Sequence, residues 1–450
     1  MLNAIVMAAG KGTRMHSQKA KTMHKLLDQP MLEHIYDTLQ NLNCDNTVYV
    51  VGHGKDEIKD YFKDKVEYAI QEPQLGTAHA VSVAESLKNK EGKTLIINGD
   101  CPLVTEETYQ KVLEVAQEYP LVVLTTVLDD PASYGRIIRD GQEVVKIVER
   151  KDANEEQVKI NEINVGIYCV DNALLWKHLP EIGNENKQHE YYITDLVEVF
   201  RKNGLKVGAY CCEDYRQMQG INSRKELIEA TKWLQEKINN YWLDNGVTII
   251  DPATTYIGRK VVIGEDSIIY PNVRIEGNSV IGKDNVIEEG SYFCNVNIGD
   301  GNHIIASRIT DSSVGNSVNI GPNAHLRNGC EIGNNCRIGN YVEMKNTHFG
   351  NGSKCAHLTY VGDATVGEKC NFGCGVVTVN YDGKNKFRCE IGDHAFVGSN
   401  VNLIAPVKIE DYSVLAAGST ITDDVAAGEM AIARSRQTNK PDYGYRYLNK

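Results

Sequence analysis

A short stretch rich in glycine and basic residues lies near the N-terminus and has the composition of a phosphate-binding loop. The stretch MAAGKGTRM, Met7–Met15, follows an apolar run and contains two glycines, a lysine and Arg14, with Lys21 soon after it. Glycine lets backbone N–H groups approach phosphate oxygens closely, and the basic side chains supply positive charge. The stretch lacks the Gly-Lys-Ser/Thr ending of a P-loop and the third glycine of a dinucleotide fingerprint. It therefore predicts a triphosphate-binding loop of another type, with a tight turn that binds nothing as the alternative.

Three further polar sites end or interrupt apolar runs in the same half of the chain. Asp100 ends one such run, at the kind of strand end where open α/β sheets bind ligands. Gly76 and Thr77 stand at the start of an expected helix, and Asn164 lies inside an expected strand. Asp100 alone could cap a helix, but beside a phosphate loop a Mg²⁺ ligand is the better interpretation.

A second group of polar residues lies in the C-terminal half, within an apolar repeat. The stretches VEMKN, CAHLTYVGDA and NYDGKNK contain Lys345, His357 and Tyr360, and Arg327 follows a repeat residue directly. A lone histidine is more often structural than catalytic, yet these polar neighbours favour a catalytic role. A solvated loop lysine remains the alternative for Lys345, as a frayed terminus does for Arg434.

The first half of the chain must position the phosphate loop, and its pattern predicts an α/β fold. Short β-branched runs alternate with longer amphipathic ones, which is typical of a mostly parallel sheet covered on both faces. The expected strands are Ala4–Ala8, Thr47–Val51, Val66–Ile70, Thr94–Asn98, Leu121–Val127 and Ile163–Val170. Expected helices include Pro30–Asn41 and Ala78–Asn89, and Arg224–Asn245 is predicted to be one long helix that Gly246 ends.

The remainder of the chain has a period of six. Isoleucine recurs without a miss at Ile257, Ile263, Ile269, Ile275, Ile281 and Ile287. Such hexads are the signature of a β-helix, in which each short strand places one aliphatic side chain in a stacked interior column and three hexads make one coil. The rule breaks at Glu343–His348 and at Asn380–Cys389. We expect a loop to leave the solenoid at each break.

The bulk composition is that of a globular protein with more than one domain. The chain has 450 residues, of which 42% are hydrophobic and 24% are charged, and a formal net charge of −12. The acidic balance argues against nucleic acid as a partner, and no apolar run has membrane-spanning length. The sequence has no signal-peptide pattern, and its cysteines form no paired C-x-x-C sets, which argues against structural zinc. We expect a cytoplasmic protein whose cysteines are mostly buried free thiols, with no membrane insertion.

The motifs of the first 223 residues resemble those of the sugar-nucleotide pyrophosphorylases. With the hexads added, the whole chain resembles the family of bacterial bifunctional N-acetylglucosamine-1-phosphate uridyltransferase/glucosamine-1-phosphate N-acetyltransferases. The resemblance implies a Rossmann-like α/β nucleotidyltransferase domain (1–223), a linker helix (224–248) and a left-handed parallel β-helix acetyltransferase domain with a C-terminal tail (249–450). It implies acetyl transfer from acetyl-CoA to glucosamine 1-phosphate, followed by Mg²⁺-dependent uridylyl transfer from UTP to N-acetylglucosamine 1-phosphate.

For the first domain, the resemblance implies that a sugar-phosphate oxygen attacks the α-phosphorus of UTP and pyrophosphate leaves. Arg14 stabilises the transferring group and Lys21 orients the attacking phosphate. Asp100 and Asn222 hold Mg²⁺, although by its position alone Asn222 is expected to be a helix N-cap. The implied contacts are Met7, Ala8, Ala9, Gly10, Gly12, Thr13 and Lys21 with the nucleotide, Gln71, Gly76 and Thr77 with uracil, and Gly135, Glu149 and Asn164 with the sugar.

For the second domain, the resemblance implies that His357 is the general base that takes a proton from the glucosamine amine, a role worth about 10²–10⁴-fold in rate. The residues implied to hold the sugar phosphate, the sugar and the acetyl group are Arg327, Lys345, Tyr360, Asn371, Asn380 and Tyr381. The residues implied to contact coenzyme A are Cys374, Ser399, Ala417 and Arg434. Such β-helix acyltransferases are typically trimers with the site between chains, so a homotrimer is expected.

Several positions depart from the family's usual residues. Ala20 stands where proline is usual, Asn98 where tyrosine is usual, and Cys374 where alanine is usual. Cys374 is expected to be a small filler near the thioester rather than a nucleophile, because direct transfer needs none.

Two alternatives to a bifunctional enzyme are open at this point. One is a single-function pyrophosphorylase whose β-helix is structural or regulatory, and the other is a non-catalytic assembly scaffold of the same two folds. The His-Leu-Thr-Tyr and Asn-Tyr-Asp-Gly segments argue against the first. The phosphate-loop and metal residues Gly10, Arg14, Lys21 and Asp100 argue against the second.

Overall fold

The computed structural model describes residues 1–448, and these divide into two compact units. The first unit comprises Met1–Leu234 and the second begins at Gln235. Each unit has its own hydrophobic core. None of the helices within residues 1–448 is long and apolar enough to cross a membrane.

Within the described residues, a sheet of nine strands forms the centre of the first unit. Its main path runs in space through Val207–Cys212, Leu121–Val127, Glu162–Asp171, Lys93–Asn98, Leu2–Ala8, Asn46–Val51 and Glu67–Ile70. The path from Lys93–Asn98 to Glu67–Ile70 is parallel throughout, whereas Glu162–Asp171 is antiparallel to both of its neighbours. The expectation of a mostly parallel sheet therefore holds for the half that carries the phosphate loop.

Both faces of this sheet are buried, as the sequence predicts. Alternate residues of a strand point to opposite faces, and those of Leu2–Ala8 enter different clusters. Ala4 and Val6 belong to one apolar cluster and Ile5 to the other. The hairpin of Arg136–Asp140 and Glu143–Val148 and the strand Val207–Cys212 complete the sheet, and the sequence analysis did not predict them.

Short helices connect the strands. The α-helices of the first unit before its last long helix are Met31–Asn41, Lys55–Phe62, Thr77–Ser82, Glu106–Val115, Glu155–Val158, Asn172–His178 and Leu196–Lys202. The prediction of a helix over Ala78–Asn89 is correct only for its first part, because the α-helix Thr77–Ser82 ends at Ser82 and a 3₁₀ turn, Glu85–Leu87, follows. The Ser82 hydroxyl donates back to the His79 carbonyl (2.9 Å), a local bond that competes with helix continuation.

A long helix, Arg224–Asp244, follows the sheet and matches the predicted element closely. Its start is fixed by a side-chain cap, since the Glu226 N–H donates to the Ser223 hydroxyl (3.3 Å) and the Ser223 N–H donates to the Glu226 carboxylate (3.0 Å). The apolar side chains of this helix do not all lie on its buried side, since Leu227 and Leu234 are buried whereas Ile228 and Tyr241 are exposed.

The second unit is a parallel β-helix, as the hexads predict. Among residues 1–448, one sheet of eleven strands consists of Thr248–Ile249, Ile268–Ile269, Val286–Ile287, His303–Ile304, Asn319–Ile320, Arg337–Asn340, Lys354–His357, Asn371–Phe372, Phe396–Val397, Val414–Leu415 and Met430–Ala431. A second set of fifteen, also within the described chain, consists of Tyr256–Ile257, Val262–Ile263, Arg274–Glu276, Val280–Ile281, Tyr292–Ile298, Arg308–Val314, His325–Arg327, Glu331–Ile332, Glu343–Phe349, Tyr360–Val366, Val377–Val379, Cys389–Ile391, Asn402–Ile404, Val407–Ile409 and Thr420–Ile421. The tail contains the helix Tyr443–Leu448.

The two breaks in the hexad rule have different structures. The first is not a loop, so that prediction is wrong: Glu343–Phe349 is a continuous strand paired with coils on both sides. The hexad spacing breaks because Phe349 follows Met344 after five positions instead of six. Both side chains remain buried. The second prediction is confirmed, because the chain leaves the stack after Val377–Val379 and rejoins it at Cys389–Ile391.

Asparagine and aspartate side chains link successive coils through a ladder of hydrogen bonds, called here the Asx ladder. The Lys283 N–H donates to the Oδ1 of Asp300 (2.8 Å), and the Asp300 N–H donates to the Oδ1 of Asn316 (2.7 Å). The Asn316 N–H donates to Asn334, and the Asn334 N–H to Asn351, each at 2.7 Å. Each side chain thus satisfies a backbone donor of the coil before it.

Glycine precedes each donor of the Asx ladder because the side chain from the next coil fills the space of its Cβ. A Cβ at Gly282 would lie 2.1 Å from the Oδ1 of Asp300, and one at Gly299 would lie 2.2 Å from that of Asn316. This steric exclusion explains why glycine so often follows the apolar residue of a hexad.

Candidate active sites

The phosphate loop follows the strand Leu2–Ala8 and leads into a 3₁₀ turn, Thr13–Met15. Gly12 has a φ of +58°, a conformation that favours glycine, and a Cβ added there would lie 2.5 Å from the Cβ of Lys21. The absence of that Cβ lets Lys21 lie directly against the loop. Gly10 has open space around it, so its backbone is accessible to a ligand.

The start of the loop is fixed by a second turn of the chain. The Ala9 carbonyl accepts hydrogen bonds from the Gln74 side-chain amide and from the His53 N–H (3.2 Å). A Cβ at Gly52 would lie 3.0 Å from the Ala9 oxygen, so the two backbones approach closely. The loop is therefore held before any ligand binds.

The residues expected to bind the base form one wall of the same region. The Gln71 side-chain amide donates to the Gly76 carbonyl (2.9 Å), and the Thr77 hydroxyl accepts from the Ile193 N–H (2.9 Å). Gly76 has a φ of +116°, and a Cβ there would lie 2.5 Å from the backbone of Tyr191. These contacts hold the 76–77 turn against the segment around Tyr191.

A cavity of about 330 Å³ lies between the phosphate loop and this turn, a volume in the range of small-ligand sites. The predicted residues in its lining are Met7, Ala8, Ala9, Gly10, Lys21, Gln71, Gly76, Thr77 and Asp100. Thr22, Gln74 and Glu190 also line the cavity and are not among the predicted site residues. Arg14 is exposed in the 3₁₀ turn and is not part of the lining.

Lys21, Asp100 and Asn222 meet at one end of this cavity. The Lys21 Nζ lies 2.6 Å from the Oδ2 of Asp100 and 3.1 Å from the Oδ1 of Asn222. Asn222 is 201 residues from Lys21 in the sequence. Cys101, fully buried beside them, has a thiol whose pKa is raised by burial and then by the Asp100 carboxylate, so it stays protonated.

Asn222 is not the helix cap that its position suggests. The neighbouring Ser223 hydroxyl fills that role for Arg224–Asp244. The Asn222 amide nitrogen donates to the Gly220 carbonyl (3.2 Å), which turns its oxygen toward Lys21 and Asp100. The side chain is thus available for a ligand rather than for the helix.

The donor set at this point fits Mg²⁺. A carboxylate and an amide oxygen are hard oxygen ligands, and Mg²⁺ is usually held by one or two carboxylates together with substrate phosphates and water. Within residues 1–448, no cluster of three or more His, Cys, Asp or Glu side chains could hold a metal by itself. A metal at Asp100 and Asn222 would complete its shell with further oxygens, from the nucleotide or from water.

The three residues expected to surround the sugar lie together, outside the lining of the 330 Å³ cavity. The Asn164 N–H donates to the Gly135 carbonyl (2.9 Å), and the Asn164 amide donates to the Tyr168 hydroxyl (2.8 Å). A Cβ at Gly135 would lie 3.5 Å from Oε1 of Glu149. Burial, and then the Asp195 carboxylate, raise the pKa of Glu149.

Two departures from the family pattern have structural explanations. The Ala20 N–H donates to the Glu57 carboxylate (2.9 Å), a bond that proline could not make. The side chain of Asn98 fills the space beside Gly166, since a Cβ added at Gly166 would lie only 2.1 Å from the amide nitrogen of Asn98. Both residues therefore make contacts of their own within the first unit.

A buried carboxylate organises the polar group of the second unit. Asp363, at a φ of +48°, accepts hydrogen bonds from the amides of Asn380 (2.5 Å) and Asn346 (2.7 Å). Its Oδ2 lies 4.0 Å from the Nζ of Lys345. The Asn380 amide also contacts the Tyr360 hydroxyl (3.4 Å). The structure thus brings together the predicted Lys345, Tyr360 and Asn380.

Basic residues surround this group. Arg327 is paired in register with Lys345 and forms an ion pair with Glu343. Lys386 is not among the predicted site residues. Its backbone forms an isolated antiparallel β-bridge with that of Tyr381 within the 380–388 loop. The neighbouring Lys345 ammonium lowers the pKa of Lys386. Two like charges held this close favour an anion between them.

A single column of the β-helix carries His357 and three of the residues expected to bind coenzyme A. The register of the strands places His357, Cys374, Ser399 and Ala417 at the same position of successive coils. Backbone bonds confirm this register, since the Asn400 N–H donates to the Cys374 carbonyl and the Gly418 N–H to the Ser399 carbonyl (both 2.8 Å).

The residues at the two ends of this column, His357 and Arg434, are exposed to solvent. His357 is exposed, and its imidazole makes no hydrogen bond to another residue within 1–448. The Cδ of Arg434 lies 3.9 Å from the position of a Cβ on Gly418, and Arg434 is exposed. Asn371 lies beside the column, paired with Lys354. Tyr381 is exposed at the tip of the loop, its hydroxyl donating to the Gly383 carbonyl (2.7 Å).

The chain matches two family models, one for each unit. The model for nucleotidyl transferases matches residues 3–248. The model for six repeats of the bacterial transferase hexapeptide matches residues 260–295, 311–346 and 388–423. Fold and sites together define a two-part transferase, with a nucleotidyltransferase unit followed by a left-handed β-helix of the hexapeptide acyltransferase type.

Proteins of similar sequence indicate which family of two-part transferases the chain resembles. The chain is 47% identical to the bifunctional protein GlmU of Shouchella clausii, with 98% of each chain covered. It is 48% identical to that of Geobacillus sp. strain WCH70, over 98% of this chain and 97% of the other. The bifunctional protein GlmU of Listeria monocytogenes strain EGD-e is 46% identical over 99% of this chain.

The chain belongs to the bifunctional GlmU family. It is a bifunctional enzyme of UDP-N-acetylglucosamine synthesis, with a uridyltransferase and an acetyltransferase activity. Neither the single-function pyrophosphorylase nor the non-catalytic scaffold is favoured.

Proposed function

We propose that the cavity of the first unit binds UTP and N-acetylglucosamine 1-phosphate and that Lys21, Arg14 and the phosphate loop carry uridylyl transfer. The pre-formed loop around Gly10 offers backbone donors to the triphosphate, and Gln71, Gly76 and Thr77 form the wall that receives uracil. Lys21 orients the attacking phosphate with its positive charge, and Arg14 stabilises the negative charge on the oxygens of the phosphoryl group that is transferred. No general base is needed, because the attacking phosphate is already anionic.

Asp100 and Asn222 are the residues that would hold Mg²⁺, which would neutralise phosphate charge when bound. The support for this is the approach of their two oxygens to one cation, the Lys21 ammonium. The sugar is proposed to lie against Gly135, Glu149 and Asn164. Their mutual contacts support a shared role, although they lie outside the lining of the nucleotide cavity.

In the second unit we propose that His357 takes the proton from the glucosamine amine as it attacks acetyl-CoA. The exposed imidazole, free of hydrogen bonds to the described residues 1–448, supports this because a base must be able to reach substrate. Arg327, Lys345 and Lys386 are proposed to bind the sugar phosphate. Tyr360, Asn371, Asn380 and Tyr381 are proposed to hold the sugar and the acetyl end.

Coenzyme A is proposed to lie along the column that contains Cys374, Ser399 and Ala417. These side chains are small, so they leave room for a ligand beside His357. Arg434 would then meet a phosphate of the coenzyme. A homotrimer is also proposed, supported by the hexapeptide repeats and by the exposure of His357 and Arg434 on a single chain.

A cytoplasmic location and a division of the chain into three functional parts are also proposed. All twelve cysteines, each within the described part of the chain, are free, which supports a reducing compartment such as the cytoplasm. The functional division is proposed as 1–223, 224–248 and 249–450. No role in nucleic-acid binding or membrane insertion is proposed.

The observation that carries the proposal is the meeting of Lys21, Asp100 and Asn222 at a phosphate-loop cavity, with a separate His357 column in the other unit. The test uses wild type and His357→Ala with glucosamine 1-phosphate, acetyl-CoA, UTP and Mg²⁺. Free thiol and pyrophosphate are followed together. The experiment is repeated with N-acetylglucosamine 1-phosphate supplied directly.

Wild type is expected to release both products. His357→Ala is expected to lose about 10²–10⁴-fold in thiol release and to release pyrophosphate at the normal rate only from the acetylated sugar. Normal thiol release by His357→Ala would contradict the assignment of the base. Pyrophosphate release that also fails with the acetylated sugar would contradict the independence of the two sites.

A further inference from the structure

Lys21 occupies the position between the oxygens that the proposed function assigns to a metal. Its ammonium lies 2.6 Å from Asp100 and 3.1 Å from Asn222. The ion pair is well shielded from solvent, with side-chain exposures of 14% for Lys21 and 20% for Asp100. The ammonium therefore neutralises the carboxylate within the protein itself.

We infer that Lys21 is the internal counter-cation of the metal site and that a divalent cation can bind Asp100 and Asn222 only when the lysine side chain moves away. This inference rests on the proposed metal site. Mg²⁺ takes oxygen ligands at about 2.0–2.1 Å in a near-octahedral shell. An ammonium within hydrogen-bonding distance of both oxygens blocks that shell, and the two cations repel each other.

The surroundings of Lys21 let the side chain move while its backbone stays in place. The preceding Ala20 N–H is bonded to Glu57, and the following Thr22 and Met23 are buried. The four-carbon stem of a lysine is flexible, in contrast to this fixed backbone. The stem also lies against Gly12 of the phosphate loop.

The displaced ammonium has a destination in the same cavity. Lys21 lines the cavity together with Ala9 and Gly10, where phosphate is expected to bind. A nucleotide phosphate would attract the ammonium away from Asp100 and would leave the carboxylate free for a cation. Metal and nucleotide should therefore bind with positive coupling, each raising the affinity for the other by the same factor.

The test measures Mn²⁺ binding to the full-length protein without nucleotide, from the electron paramagnetic resonance signal of free Mn²⁺. Lys21→Met is compared with wild type, and Lys11→Met is the matched control. Lys11 is an exposed lysine of the same loop, and among residues 1–448 the ammonium that contacts Asp100 is that of Lys21. Asp100→Asn tests the metal site itself. Far-UV circular dichroism and the unfolding midpoint check each variant, with Lys21→Gln as a replacement should Lys21→Met not fold.

Lys21→Met is expected to bind Mn²⁺ about tenfold more tightly than wild type, within the usual range of coupling between sites. Lys11→Met should change binding by less than about twofold, because an exposed charge is screened. Equal tightening by the two variants would overturn the inference, since the effect would then be one of net charge. No tightening by Lys21→Met would overturn it as well. Unchanged Mn²⁺ binding by Asp100→Asn would instead remove the proposed metal site, and the inference with it.

Discussion

The two units place their polar side chains in different ways. In the first unit, Lys21 and Asn222 meet although 201 residues separate them, because a loop, the end of the strand Lys93–Asn98 and the segment before a helix converge at one edge of the sheet. In the second unit, His357 and Cys374 lie one coil apart and become neighbours through strand register alone. A site built by convergence depends on many elements, whereas a site built by register depends on the coils that carry it.

This difference separates two kinds of damage. A substitution at a convergent site should remove one activity and leave the stack of coils intact. A substitution in the interior of the stack should lower stability and reach the acetyltransferase site indirectly, while the uridyltransferase remains active.

Of the four substitutions that test this comparison, Asp100→Ala is expected to have the largest effect. Loss of this carboxylate removes a proposed metal ligand, and uridylyl transfer should fall by about 10²–10³-fold, the cost of one electrostatic group in an active site. Acetyl transfer should not change. Asp60→Ala, an exposed aspartate of the same unit, is the control. Rates of pyrophosphate and thiol release check the result, and a parallel loss of both would show that the two sites are not separate.

Ile338→Ala should have the second largest effect. Ile338 is fully buried in the interior column, and such truncations cost about 2–5 kcal/mol in free energy of unfolding. Arg337→Ala, on the same strand but outward, should cost less than about 0.5 kcal/mol. Differential scanning calorimetry and residual activity after heating measure both. Acetyl transfer should be lost at a lower temperature than in wild type. Loss of uridylyl transfer at the same temperature would contradict the expectation that damage to the stack leaves the first unit active.

A smaller effect is expected for Asp195→Asn. Burial, aided by the Glu198 carboxylate, raises the pKa of Asp195 from 3.8 to about 6, so the folded state holds this proton more tightly than the unfolded state. The resulting stabilisation is complete below about pH 3.8 and is lost as the pH rises through about 6. Because Asp195 is only partly buried, the amide should add about 1 kcal/mol relative to wild type above pH 6, and little at pH 4.

Urea unfolding of Asp195→Asn and wild type at pH 4 and pH 7.5 measures this difference. The comparison concerns only the first unit, so the unfolding transition of the second unit serves as an internal reference. A difference in unfolding free energy that is the same at both pH values would show that the charge of Asp195 is not the cause.

The smallest effect is expected for Cys374→Ala. Its thiol is exposed and is not needed for direct transfer, so kcat/KM for acetyl-CoA should change by less than about twofold. Treatment with iodoacetamide should inhibit acetyl transfer by wild type, because the added group would fill the His357 column, but not by the variant. Cys211→Ala, which removes an exposed thiol of the other unit, should stay sensitive. Equal inhibition of Cys374→Ala and wild type would place the reactive thiol elsewhere.

The sequence predicted the second unit more fully than the first because its period maps directly onto space. The hexads gave the coils, and the break at Asn380–Cys389 gave the loop. The break at Glu343–His348 was misread, since a coil can lose one residue at a corner and keep its strand pairing. The same five-residue spacing separates buried Phe293 from Ile298 and buried Ile309 from Val314, so the shortened corner recurs along the stack.

In the first unit, local patterns found the phosphate loop and Asp100 but not their partners. Asn222 was ambiguous because the residue that caps the helix, Ser223, is its neighbour, and only the fold shows which side chain turns toward Lys21. Lys386 was missed for a similar reason, because its significance comes from its approach to Lys345 across a loop. Residues whose role depends on distant contacts carry no mark in a single sequence.

The Asx ladder gives the solenoid a direction. Each of its bonds runs from a backbone donor to a side chain one coil further on, so a coil keeps its ladder bond only while its C-terminal neighbour is folded. When a C-terminal coil unfolds, the coil before it is left with an unpaired backbone N–H group. We therefore expect unfolding to proceed coil by coil from the C-terminal end of the stack toward the N-terminal end. Amide hydrogen exchange along the stack would record this as a gradient of protection, highest at the coils nearest residue 283.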